Sequence, residues 1–211
     1  VSVLDVATFA VLAFVGVRIA SGTRAALTGS GRRRIVLIVR GLRPRHFLLA
    51  PLVLTVVLVV VIVLIQIPGL DWGWWTALGG LGNPVTGTTE RTTGTAFEWI
   101  IPLVFLVLLT PALPLFAEAE ERVFRFGAEK RTRWGRFRRS VEFGLAHALI
   151  GIPVGAALGL SVGGMYFTSR YMRMYRRTNN PYVATAESTR AHLAYNLTVV
   201  LLVIAAFTVV P

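Results

Sequence analysis

The sequence predicts an all-α fold, a polytopic membrane bundle of about six membrane helices including a short hairpin pair, in a single transmembrane domain over residues 1–211. Two observations carry that expectation. The composition is 55% hydrophobic with only 15% charged residues, whereas average soluble domains carry about a quarter charged residues. Apolar runs of span length, about 20 residues, also alternate with segments in which nearly all the arginines collect. The absence of cysteine removes disulfides, thiolate nucleophiles and Cys-ligated zinc, so chemistry falls to His, Asp, Glu and hydroxyl groups.

The first run, Val3 to Ala20, is interrupted only by Asp5 and Arg18 and has no basic leader, so it reads as an uncleaved span and not a signal peptide. A polar stretch over 21–46 with seven arginines reads as a loop, and Phe47 to Leu70 as the next span. Residues 71–96 carry Trp72, Trp74 and Trp75, an interfacial aromatic cluster. Phe97 to Ala117 is the third span; the basic stretch 122–139 follows, then an apolar run from Val141 to Phe167, a basic loop over 170–186, and a last span from about Ser188 to Val210. Cytoplasmic loops collect Lys and Arg, which places 21–46, 122–139 and 170–186 inside and 71–96 outside. All basic residues but Lys130 are arginine and position 1 is Val, as in translation from a GC-rich bacterial gene, so the expected location is a bacterial cytoplasmic membrane.

Residues 140–169 leave a cytoplasmic loop and return to one, so they must turn back. Pro153 between Gly151 and Gly155 is the natural breaker. It gives a helix from about Ser140 to Gly151 and another from about Val154 to Arg170, each short enough to suggest a shallow or re-entrant hairpin. The rival is one long helix kinked at Pro153. Gly151, Gly155, Gly159 and Gly163 recur every four residues, a small-residue stripe suited to close helix packing or to a groove of bare backbone.

Charges inside membrane helices are costly and ask for a reason. Glu120 and Glu121 precede Arg125; Phe143 precedes His147; His192 precedes Asn196. The pairs Glu121–Arg125, Phe143–His147 and His192–Asn196 are each spaced i, i+4, on one helical face. Glu120 points about 100° from Glu121, so Arg125 can hold one carboxylate as an ion pair and leave the other to face the interior as a base. His147 lies about 10 Å along its helix from Ser140, and Asn196 at a similar depth from Ser188. Taken singly, the residues also fit a salt-bridge cluster, a packed histidine and an interhelical amide. Glu142 and Glu187 at helix starts suit the macrodipole, and His46 beside Arg43 and Arg45 reads as interfacial charge that snorkels.

In this order on successive helices, Glu120-Glu121-xxx-Arg125, Phe143-xxx-His147 and His192-xxx-Asn196 resemble the three motifs of the CPBP family, the type II CAAX prenyl proteases and their bacteriocin-processing or immunity-associated relatives. The resemblance covers about residues 113–205. It implies a glutamate-dependent intramembrane endopeptidase: Glu120 with His147 activating a water, His192 and Asn196 stabilising the oxyanion, Glu121 and Arg125 ordering the site, and Phe143 meeting the substrate. Phe126 stands where the family commonly has the glycine that here comes at Gly127, and Arg122 stands at a usually apolar position. No cofactor is expected; zinc on the two histidines and a glutamate is the alternative, disfavoured because Asn and Arg suit oxyanion stabilisation better than ligation.

The expected partners are a membrane peptide or protein substrate and anionic lipids. Nucleic acid is disfavoured although the net charge is +12, because no aromatic residues interleave the arginines as a stacking platform requires. A non-catalytic immunity or secretion scaffold using the same cluster structurally is the main rival function. A transporter with a proton relay fits less well, since the ionisable groups form one layer instead of a path.

Overall fold

In a computed structural model, which describes residues 2–83, 88–89 and 92–209, the chain is helical nearly throughout. Its helices are α1 (Val3–Leu27), α2 (Gly29–Arg40), α3 (Pro44–Ile65), the one-turn α4 (Trp74–Ala77), α5 (Phe97–Leu109), α6 (Leu113–Phe124), α7 (Arg133–Ala146), α8 (Val154–Thr178) and α9 (Pro181–Val209). A two-residue antiparallel pairing joins β1 (Gly82–Asn83) to β2 (Thr88–Thr89). Among the described residues, four stretches are long and apolar enough to cross a membrane: Val3–Leu27, Pro44–Ile65, Phe97–Lys130 and Pro181–Ala205. The expected end of the last span, Val210, lies outside the described residues.

α3 shows why the fold suits a bilayer. Beyond His46 in its first turn it is apolar on all sides, yet only the seam Ala50, Leu54, Val57 is buried there, while Leu52, Val56, Val59, Ile62 and Val63 remain more than half exposed. A helix apolar all round belongs in a core or in lipid. Here the protein covers one seam and leaves the rest as a lipid-facing surface.

Three stretches expected as loops are structured. The 21–46 segment is helical for most of its length: α1 continues to Leu27 and α2 begins two residues later, its first turn capped by Thr28 Oγ1 accepting from the Gly31 N–H at 3.0 Å. Polarity misled the reading, because a helix needs only one buried stripe. The 170–186 loop shrinks to Asn179 and Asn180. Asn179 takes the left-handed conformation (φ +48°) that ends α8, the Asn180 side chain accepts from the N–H groups of Tyr182 and Val183, and Pro181 opens α9. Asn-Asn-Pro is thus a helix stop and start in three residues. In the 122–139 segment, α6 runs on to Phe124 and α7 starts at Arg133. The third span, expected to end at Ala117, is two helices joined by a 3-10 turn at Thr110–Ala112, where Pro111 and Pro114 lack the N–H that an unbroken ladder needs.

The break at residues 147–153 is a hairpin, not a kinked single helix. A 3-10 turn (His147–Ile150) leads into Gly151 at φ +88°, a conformation glycine adopts without strain, and Pro153 precedes α8. α7 and α8 run antiparallel, with Ser140 Oγ 3.3 Å from Thr168 Oγ1 and Arg136 Nη1 3.4 Å from Met172 Sδ. The hairpin is deeper than expected. Its tip bonds to the segment that follows α3: the Val154 N–H donates to the Trp72 carbonyl (2.9 Å), the Gly155 N–H to Leu70 (2.7 Å) and Asn83 Nδ2 to Ile150 (3.0 Å). The tip therefore reaches the far end of α3, so the shallow re-entrant form is replaced by a turn the full length of that helix. The glycine stripe makes this approach possible. A Cβ at Gly159 would come within 2.4 Å of the Val61 side chain, and one at Gly155 within 2.9 Å of the Leu70 carbonyl.

α9 is the central helix. One face joins α3, α7 and α8 in a core of Ala50, Leu54, Val57, Phe143, Phe167, Ala191, Ala194 and Tyr195, while another buries Leu193 and Val200 against Ile38, Leu113 and Ala117 of α2 and α6. Covered on two sides, α9 carries His192 into the interior.

Candidate functional site

Glu121 anchors the site. It lies in the last turns of α6 with no solvent exposure, where an unpaired carboxylate would be expensive. The α6 geometry puts Arg125 one turn on, with Nη1 3.2 Å from Glu121 Oε1. From α9, His192 Nδ1–H donates to the same oxygen at 2.9 Å, and the Ser188 hydroxyl donates to Oε2. Ser188 and His192 are themselves i, i+4 on α9, so one helical face delivers both donors.

Arg125 is fully buried, and none of its three guanidinium nitrogens completes a hydrogen bond. Glu121 and aromatic faces hold its charge: the guanidinium carbon sits 4.1 Å from the Phe143 ring centre, 5.4 Å from Phe167 and 5.6 Å from Phe124. Desolvated cation–π contacts contribute about 2 kcal/mol or more. Gly164 makes the room, since a Cβ there would meet the Ser140 carbonyl at 2.9 Å and Arg125 Nη2 at 3.1 Å.

The His192 ring stacks on Phe167 (centroids 4.3 Å apart, 18° between planes) and meets the edge of Phe143 at 5.5 Å. With Nδ1–H given to Glu121, Nε2 is the open nitrogen, and Glu120 Oε2 lies 3.7 Å from it. That Glu120 oxygen is buried and has no hydrogen-bond partner, although the side chain as a whole is 37% exposed. Glu120 and Glu121 thus differ as their positions on the helix predict: one is clamped by Arg125, the other is not.

His147 caps the end of α7. Its Nδ1–H donates to the Phe143 carbonyl at 2.9 Å, which leaves Nε2 open. His147, His192 and Asn196 line one cavity of about 350 Å³ between α3, the α7–α8 hairpin and α9, whose other walls are largely apolar. Leu58, half exposed on the outer side of α3, also lines it, so the cavity reaches the lipid-facing surface. Tyr195, absent from the sequence-based set, lines it as well. Glu120 is not among the lining residues; it approaches from behind His192. Phe143 forms a wall, but its ring is buried in packing and offers a substrate little surface.

Among the described residues, no group of three or more His, Asp or Glu gathers within metal-holding reach. His147 and His192 each keep Nε2 open, and Glu121 is engaged by Arg125, His192 and Ser188.

Two residues set aside in the sequence form a second buried centre. His46 does not snorkel: it is fully buried, Nδ1 accepts from the Arg43 N–H (3.1 Å) and Nε2–H donates to Glu187 Oε1 (3.2 Å). Glu187 is no helix-start acid, because α9 begins at Pro181. Its Oε1 also takes Arg45 Nη2 at 2.9 Å and Arg170 Nη2. Glu142, by contrast, is a partly exposed partner of Arg138 and Arg139. Ser188 was legible as a hydroxyl one turn before His192; the His46–Glu187 contact spans 141 positions and leaves no local signal.

Comparison with protein-family models, with curated proteins and with solved structures finds no match to this chain.

Proposed function

We propose that the chain is an intramembrane endopeptidase resembling the CPBP proteases, acting on a membrane peptide or protein at the cavity midway along α3 and working without a metal. One observation carries the reading. Three polar side chains from two separate parts of the chain, His147, His192 and Asn196, open into one otherwise apolar cavity, and a buried, unpartnered carboxylate oxygen of Glu120 lies 3.7 Å from the open nitrogen of His192.

In this reading the partly exposed Glu120 side chain swings past His192 to the cavity and removes a proton from a water that His147 Nε2 helps to orient. The water oxygen attacks the peptide carbonyl carbon. The carbonyl oxygen becomes negative, and the Asn196 amide together with protonated His192 Nε2 stabilises it. Collapse of the intermediate breaks the C–N bond, and the proton held by Glu120 goes to the leaving amine. Glu121 and Arg125 do not meet the reacting atoms; the Glu121 carboxylate holds the Nδ1–H and the ring angle of the His192 imidazolium, whose Nε2–H is the donor. A substrate helix reaches the cavity beside Leu58 from the lipid side.

A second reading is a non-catalytic membrane scaffold of the immunity or secretion type. The observation favouring it is that Arg125, His192 and Ser188 together hold the buried Glu121 carboxylate and would stabilise the bundle without any chemistry. Cleavage of membrane peptides by the purified chain in liposomes, wild type against Glu120→Gln, separates the two. The protease reading expects turnover to fall at least about 100-fold in Glu120→Gln with the unfolding midpoint unchanged. Equal turnover in the variant overturns the assignment of Glu120, and no turnover in either, over a broad set of membrane peptides, favours the scaffold.

A further inference from the structure

We infer that the arginine-rich end of the bundle holds a binding pocket for a phosphate-bearing anion, distinct from the His147–His192 cavity. The inference does not depend on the protease reading; it narrows the general attraction to anionic lipids to one pocket. A cavity of about 240 Å³ lies where the start of α3, the end of α8 and the start of α9 meet. Arg45, Arg170, Arg173, Arg177 and Glu187 line it, and none of its lining residues is shared with the first cavity. Four guanidinium groups against one carboxylate give it a net charge of +3 (4 − 1).

Glu187 cannot neutralise that charge. Its Oε1 is already shared by Arg45, Arg170 and His46. Among the described residues, neither Arg173 nor Arg177 forms an ion pair with an acid. Arg170, 7% exposed, and Arg45 each keep a buried Nε with no hydrogen-bond partner. Donors are therefore present in excess of acceptors, inside a concavity. Residues 170, 173 and 177 share one face of α8, which sets three guanidinium groups side by side. Planar guanidinium forks match the paired oxygens of a phosphate, and basic pockets between membrane helices suit anionic lipid headgroups. Leu49 and Met174 add an apolar wall to the same cavity, where the glycerol end of a lipid could rest. Free phosphate shares the recognised chemistry, so both sources enter the test.

The test titrates the detergent-solubilised full chain with dioctanoyl phosphatidylglycerol, dioctanoyl phosphatidylcholine and inorganic phosphate, counting bound ligand by native mass spectrometry. Two charge-matched variants are compared with wild type. Arg173→Gln with Arg177→Gln removes two exposed arginines of the pocket, and Arg133→Gln with Arg176→Gln removes two exposed arginines outside it. Saturable binding of phosphatidylglycerol or of phosphate, weakened tenfold or more in the first variant and less than twofold in the second, supports the pocket; which of the two probes binds identifies the source. No saturable binding, equal affinity for phosphatidylcholine and phosphatidylglycerol, or equal losses in both variants overturns it. Because the four positions are exposed, unchanged unfolding midpoints are expected and serve as the folding control.

Discussion

Among the described residues, two buried carboxylate centres are built around similar Glu–His–Arg sets, and they end in different places. Glu121 gathers Arg125, His192 and Ser188; Glu187 gathers Arg45, His46 and Arg170. In the first centre the arginine is sealed in a box of phenyl rings and the histidine turns its free nitrogen toward an unpartnered carboxylate and an apolar cavity. In the second, His46 has both nitrogens committed, and the arginines spill into a cationic pocket. A Glu–His–Arg set is therefore not a function. What the histidine has left over, and which sign of charge remains unbalanced, decides what each centre can do.

The contrast is sharpest in stability. Glu121→Gln leaves Arg125 buried and uncompensated, and breaking a buried pair in this way costs about 3–5 kcal/mol. Glu187→Gln is expected to cost less, about 1–3 kcal/mol, because Arg45 is 35% exposed and can turn its charge to water. Unfolding of both variants in detergent measures the gap, and an equal or larger loss at Glu187 would break the distinction drawn between a sealed and an open centre.

Asn196→Ala probes the first centre through chemistry instead of folding. If Asn196 supplies an oxyanion donor, turnover is expected to fall about 10²–10³-fold, or about 2.7–4 kcal/mol, with the unfolding midpoint unchanged. Arg173→Gln, in the wall of the other pocket, is expected to leave turnover within twofold. A parallel loss in both would show that turnover follows global folding and not the cavity.

A smaller effect tests the packing that supports Arg125. Gly164→Ala places a methyl group against the Ser140 carbonyl and the guanidinium, and overpacking of this kind costs about 1–3 kcal/mol. Chemical denaturation of the variant checks it. The smallest effect belongs to a third acid, Glu118, which bonds Arg34 (2.6 Å) and Arg122 (2.8 Å), both about half exposed. Glu118→Gln is expected to cost under about 1 kcal/mol, measured the same way. A loss as large as that of Glu121→Gln would mean that ion-pair number, not burial, sets the scale.

Much of this was legible before the structure, for reasons that lie within single helices. The apolar runs gave the spans, Gly151 and Pro153 gave the hairpin, and i, i+4 spacing gave the Glu121–Arg125 pair and the Phe143–His147 contact, whose ring centroids are 5.0 Å apart. These are local regularities, fixed by 3.6 residues per turn and by the backbone limits of glycine and proline. Polar segments were less legible: 21–46 and 170–186 read as loops because hydropathy reports on environment, while helix formation also needs only caps and one buried stripe.

Pairings between helices were decided by the tertiary structure alone. Nothing local in the sequence tells that His46 meets Glu187, that Ser188 completes the shell of Glu121, that the hairpin tip reaches Trp72, or that Glu120 stands behind His192 and outside the cavity. Each depends on the rotation and axial shift of one helix against another, and those are set by close packing, such as Gly159 on Val61 and Gly164 around Arg125. A sequence fixes which face of a helix a side chain occupies; only the packed bundle fixes what that face meets, because the contact depends on the position of two helices and the periodicity describes one.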